Sequence, residues 1–142
     1  MTKPNWLAIA EKEIGTHEIA GEQDNPRIVE YASCTSLHAC DDETPWCSAF
    51  VNWVMKQAGY KGTNLANARS WLDWGAPLAK PVPGCVVILR RGAPPSGHVG
   101  LYVSDVASDF IKVLGGNQGD QVKYSNVPKE DVIGYRWPAG VA

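Results

Sequence analysis

Four cysteines and three histidines supply the nucleophilic and basic side chains of this 142-residue chain. A thiol attacks as its thiolate, which forms where the local potential is positive. Cys47 follows Thr44 and Pro45, which read as the N-cap and first residue of a helix. That grammar puts Cys47 in a first turn, where backbone N–H groups without intrahelical acceptors and the helix dipole favour the anion. The competing reading of the same residue is a small buried side chain. His98 opens a strand-like run in Ser96-Gly97-His98-Val99-Gly100. Its flanking glycines leave room around the imidazole and let a substrate chain approach, as a base beside a groove requires. Asn117, in Leu114-Gly115-Gly116-Asn117-Gln118, offers an amide oxygen that would accept from the ring N–H and fix its tautomer, although Gly-Gly-Asn is also ordinary turn chemistry. Gln118 is the rival amide. On an extended chain the two point to opposite faces, so one alone reaches the ring, and the shorter side chain of Asn117 is the choice made here. His17 and His38 stand in polar or loop-like surroundings.

The elements that must position these groups change character midway. Trp6, Leu7, Ala10 and Ile14 recur at helical spacing and Gly15 stops them; Asn25-Pro26 starts a short helix through Tyr31. In the helix that carries Cys47, Phe50, Val51, Val54 and Ala58 form an apolar stripe ending at Gly59. A shorter helix is expected over 66–74. After Pro81 and Pro83 the pattern turns β-branched, with strands expected at 85–90, 98–104, 110–114, 121–125 and 132–137, each separated by Gly, Pro, Asp or Asn. Strands at short spacing with no helices between them form an antiparallel sheet. The class is therefore α+β, with N-terminal helices packed on one side of the sheet.

The length suits one catalytic domain over 1–142, with 44% apolar and 20% charged residues as in soluble globular proteins. A net charge of −2 without basic runs argues against nucleic acid, and no apolar run reaches membrane-spanning length, so no membrane insertion is expected. Trp6 to Ala10 is followed at once by Glu11, Lys12 and Glu13, leaving no room for a secretory core; synthesis in a bacterial or host cytoplasm without a signal peptide is the expectation. In that reducing compartment thiols stay free. Cys34, His38, Cys40, Asp41 and Asp42 crowd one loop, but Cys-x5-Cys matches no usual zinc spacing. A Cys34–Cys40 disulfide outside the cytosol is the better reading, and Asp41, Asp42 and Glu43 read as solvated charge rather than a calcium site. No metal and no cofactor is expected, and the chain is expected to act as a monomer. Six Trp and five Tyr exceed what core filling usually asks for, which suits carbohydrate or peptide surfaces, although for any single Trp a place in the core is the better reading.

A helix-start Cys, a strand-start His and an Asn after the following strand reproduce the order found in papain-like enzymes. The sequence resembles the small papain-like peptidoglycan hydrolases of the CHAP and NlpC/P60 superfamily, particularly a compact group common in phages and prophages. The residues that carry the resemblance are Asp42-Glu43-Thr44-Pro45-Trp46-Cys47-Ser48-Ala49-Phe50-Val51-Asn52-Trp53, Ala68-Arg69-Ser70-Trp71-Leu72 with Trp74-Gly75, Gly97-His98-Val99-Gly100, Leu114-Gly115-Gly116-Asn117-Gln118 and Gly134-Tyr135-Arg136-Trp137-Pro138. It implies cleavage of a peptide or amide bond in bacterial peptidoglycan through a Cys47 thioester, with His98 as base, Asn117 as orienter and the Cys47 N–H as one oxyanion donor. It also implies an endolysin-type enzyme acting on the wall after release or delivery, with Trp46, Trp71, Gly97 and Gln118 on the substrate side. The sequence departs from relatives at Trp46, where some carry Asp or Gln, at Gly115, where many CHAP domains carry glutamate, and at Cys85, where an aspartate is usual. The rival functions are a wall-binding module without catalysis, an acyltransferase or deamidase with the same dyad, and an injected antibacterial toxin.

Overall fold

The structure, a computed structural model, describes residues 4–17, 26–32, 46–65, 67–90, 97–116, 118 and 121–139. Three helices come first: α1 (Asn5–Glu11), α2 (Pro26–Ala32) and α3 (Cys47–Gln57). A 3-10 segment (Ala68–Asp73) follows, then strands β1 (Ala76–Leu78), β2 (Val86–Arg90), β3 (Gly97–Ala107), β4 (Phe110–Gly115), β5 (Lys123–Pro128) and β6 (Val132–Trp137). The strands form one antiparallel sheet in the order β1-β6-β2-β3-β4-β5. This is the α+β arrangement that the change of periodicity implies.

The apolar stripe makes α3 the central helix. Every residue from Cys47 to Met55 is buried, and α3 packs against α1, α2, β3 and β4. Its end is a Schellman motif: Tyr60 N–H donates to Met55 O at 2.8 Å, Gly59 N–H donates to Lys56 O at 3.0 Å, and Gly59 takes φ +91°. The main core lies between these helices and the inward side chains Val86, Ile88, Val99, Leu101 and Leu114 of the sheet. Cys85, Val87, Leu89, Tyr102, Ile111 and Val113 form a second buried cluster, filled out by Leu78, Val127, Val132, Tyr135 and Trp137. Val87 and Leu89 alternate along β2 with Val86 and Ile88, so this cluster lies on the face of the sheet opposite the helices. Bulges in the β3–β4 and β2–β6 pairings mark where the strands bend. Both faces of β2 are therefore covered, which is why Val86 to Leu89 reads as an unbroken apolar run.

Four local expectations change. Helix α3 begins at Cys47 with Trp46 as N-cap and no side-chain cap bond, and its first helical hydrogen bond runs from Phe50 N–H to Trp46 O at 2.9 Å. Thr44 and Pro45, the expected cap and first residue, lie outside the described residues. The helix expected over 66–74 is a 3-10 turn held by side-chain bonds. Strand β5 starts at Lys123 rather than 121, because Gln121 bridges to His17 instead. Strand β1 was not foreseen; three residues with Pro77 at a sheet edge carry no alternation to detect. Among the described residues, no helix is long and apolar enough to cross a membrane.

Candidate active site

Cys47 is the first residue of α3 and 7% exposed. The turn it opens is held from both sides. Ser48 Oγ donates to Leu65 O at 2.7 Å and accepts from Trp71 Nε1 at 2.9 Å. One turn on, Asn52 Nδ2 donates to Ser48 O at 3.1 Å while its Oδ1 accepts from Asn64 N–H at 2.8 Å, fixing Asn64 in a left-handed conformation at φ +59°. On the other side Trp46 stacks on Tyr31, with ring centroids 5.8 Å apart. It also lies so close to Gly116 that a Cβ there would stand 2.6 Å from the indole and 2.8 Å from Phe50 Cβ. Gly116 thus admits the start of α3 against the end of β4.

His98 is the second residue of β3, paired with Leu89 on β2, and only 1% exposed. Its Nε2 lies 2.8 Å from Gln118 Oε1. The Gln118 amide nitrogen donates to Lys123 O at 2.6 Å and to Val113 O at 3.3 Å. Two carbonyls can only accept, so they fix the orientation of the amide and turn its oxygen toward the ring. An oxygen accepts in turn, so Nε2 must carry the imidazole proton, and Nδ1 is left as the basic nitrogen. Gln118 is 4% exposed, and its Oε1 would lie 2.9 Å from a Cβ at Gly115, so a side chain at 115 would push this amide oxygen from its place.

Gln118, the rival amide, thus bonds the His98 ring; Asn117, the expected orienter, lies outside the described residues. The chain leaves the β4 ladder at Gly115, so the strict two-face alternation used to rank the two amides does not apply beyond it. Gln118 is likewise corrected as a substrate-binding residue, since its polar atoms are engaged by His98, Val113 and Lys123. Trp46 and Trp71 are corrected too, being 1% and 0% exposed and part of the core around α3. Gly97 is half-buried at the start of β3. His98 and Gln118 meet where β3 begins and β4 ends, and Gly116, directly after β4, packs against Trp46, the residue before Cys47.

The other thiols and histidines stand apart. Cys85 is a free thiol, fully buried in the second cluster, and burial pushes its pKa up to about 11, so it is held as an unreactive neutral group. His17 is exposed, its Nδ1 3.1 Å from Gly15 O. Cys34, His38, Cys40, Asp41, Asp42 and Glu43 lie outside the described residues, and among those described no three His, Cys, Asp or Glu side chains converge as metal ligands would. Sequence reasoning missed Ser48, the hub that ties the Cys47 turn to the 3-10 segment. Its trace is a polar residue set between the cysteine and the apolar run Ala49-Phe50-Val51.

The family model of the CHAP domain matches residues 39–117, more than half of the chain. No curated protein matches the sequence. Among solved structures, the fold is similar to that of a Staphylococcus aureus subsp. aureus Mu50 protein described as similar to a lipoprotein of the NLP/P60 family. The TM-score is 0.56 at 16% identity over 95% of this chain. The chain spans 41% of that protein's length, and the likeness is one of fold. With a cysteine-opened central helix packed on an antiparallel sheet and a histidine at the start of a strand, the chain belongs to the CHAP domain family of papain-like, peptidoglycan-related hydrolases.

Proposed function

We propose that this protein hydrolyses a peptide or amide bond of bacterial peptidoglycan, with Cys47 as nucleophile, His98 as general base and acid, and Gln118 as positioning residue. The observation that carries the reading is the polarity of the His98–Gln118 bond, which leaves Nδ1 as the proton acceptor. Cys47 Sγ–H gives its proton to Nδ1, and the thiolate, favoured at the head of α3, attacks the scissile carbonyl. The oxyanion is met by the Cys47 backbone N–H, a donor of a kind worth about 3 kcal/mol. Collapse of the tetrahedral species breaks the C–N bond, and Nδ1–H protonates the departing amine. Water then attacks the thioester as Nδ1 takes its proton, releasing the carboxylate and restoring the thiol. Gln118 holds the ring throughout without exchanging a proton.

An endolysin-type role, acting on the wall after release from the cell in which it is made, follows from the resemblance to the phage and prophage group. Digestion of purified sacculi in 18O-labelled water tests the function. Mass spectrometry should find each new amine matched by a carboxyl group carrying one labelled oxygen, and the fragments name the bond. Binding to sacculi without fragments would support a wall-binding module, and products lacking the label an acyl transfer.

A further inference from the structure

We propose that Tyr31 is a positioning residue for the reaction, tying the residue before Cys47 to the loop that presents Gln118 to His98. The proposal rests on the hydrolase reading above and adds to it a residue that neither touches substrate nor exchanges a proton. Tyr31 belongs to α2 and is fully buried. Its ring meets the head of α3, stacking on Trp46 at 5.8 Å and standing edge-on to Phe50 at 5.1 Å. Its hydroxyl leads the other way and donates to Glu13 Oε1 at 2.7 Å. Burial first, and the Glu13 bond second, raise the phenol pKa, so the donor keeps its proton at neutral pH. Arg27 Nε stands 3.2 Å from the same Glu13 oxygen, so the half-buried acceptor is itself fixed in place.

From Glu13 the bonds run on to the histidine side. Glu13 O accepts from Thr16 N–H at 3.0 Å, and Thr16 O accepts from Val122 N–H at 2.8 Å. Gly15 N–H donates to Val122 O at 3.0 Å and His17 bridges to Gln121, so 15–17 lies antiparallel beside 121–122. Gln121 O accepts from Gln118 N–H at 3.0 Å, and Gln118 Oε1 is the partner of His98 Nε2. Trp46 closes the circuit through its close approach to Gly116, two residues before Gln118. Packing alone asks only for a ring at position 31, which phenylalanine would supply. The hydroxyl is what joins that ring to the segment bracing the Gln118 loop. A misplacement of about 1 Å can cost about a hundred-fold in rate, so a tie between the two sides of the site bears directly on turnover.

Tyr31→Phe keeps the ring and removes the tie. In variants shown by circular dichroism to be folded, kcat on solubilised peptidoglycan fragments should fall about 10-fold or more, with KM within about two-fold of wild type. Glu13→Leu, which removes the acceptor, should match it, and Glu13→Gln, which keeps an amide oxygen for the phenol, should recover most of the rate. The Tyr31→Phe/Glu13→Leu double variant should be no slower than Glu13→Leu alone, because both changes break one bond. Alkylation of Cys47 by iodoacetamide, followed at that residue by peptide mass spectrometry, reads the same coupling without substrate, since the thiolate is the species that reacts. It should slow in the same order. A packing role alone would lower the melting temperature and leave both rates at the wild-type value. That result in folded Tyr31→Phe or, should it not fold, in folded Glu13→Leu overturns the proposal. If the wild type releases no fragments the hydrolase reading fails, and the alkylation series then decides the coupling by itself.

Discussion

At the scale of single residues, the site turns on which atom of His98 holds the proton, and that is decided by Gln118. Gln118→Ala removes the acceptor for Nε2–H and the donor to Lys123 O and Val113 O. Turnover should fall by roughly ten- to a thousand-fold with little change in KM, because the ring is misaligned and no reacting group is lost. Assayed side by side on sacculi, Asn117→Ala should be the milder variant; a crippled Asn117→Ala beside an unaffected Gln118→Ala would return the role to Asn117. The sequence shows the proposed reactive pair plainly, since a cysteine at a helix start and a histidine between glycines each leave a local signature. It does not show that the Gln118 amide turns toward the ring. That depends on where β4 ends and on the Lys123 and Val113 carbonyls, which are brought in by the β4–β5 pairing.

At the scale of elements, the head of α3 is set by packing and side-chain bonds rather than by a capping residue. Trp71 is the clearest case. Trp71→Phe keeps an aromatic ring in the core and loses the bond to Ser48, so thermal or urea unfolding should show a loss of about 1 kcal/mol with activity largely kept. Trp71→Ala should cost about 3–5 kcal/mol through the cavity it leaves. A tryptophan on the substrate side would behave in the opposite way, raising KM at constant stability. The helices and five of the six strands are legible from periodicity and from their Gly and Pro punctuation. The aromatic residues mislead, because composition counts rings without saying that Tyr31, Trp46, Phe50 and Trp53 pack on one another around α3. The 3-10 character of Ala68–Asp73 and the strand β1 escape notice because long-range partners define both: Ser48 for the first and β6 for the second.

At the scale of the whole molecule, the second buried cluster of the sheet holds a thiol that stays neutral. Burial raises the Cys85 thiol from 9.0 to about 11, so between those values the unfolded chain has lost a proton that the folded chain keeps. Stability is then fully present below pH 9 and falls as pH rises, by at most about 1.4 kcal/mol per pH unit from this one group. Tyr31 and Tyr102, also raised chiefly by burial, add to the loss above pH 10. Urea unfolding between pH 8 and 10 should show this slope in the wild type and a flatter one in Cys85→Ala; equal slopes would place the Cys85 thiol in a wetter environment. Cys85 is thereby held out of the chemistry, and Cys47, at the head of α3, is the thiol proposed to carry the reaction. The most direct measurement is the rate of turbidity loss of a sacculus suspension with wild type and with Cys47→Ala, both shown by circular dichroism to be folded. The account predicts a fall of at least about a thousand-fold in the variant. Clearing by Cys47→Ala at a rate near that of the wild type would contradict it.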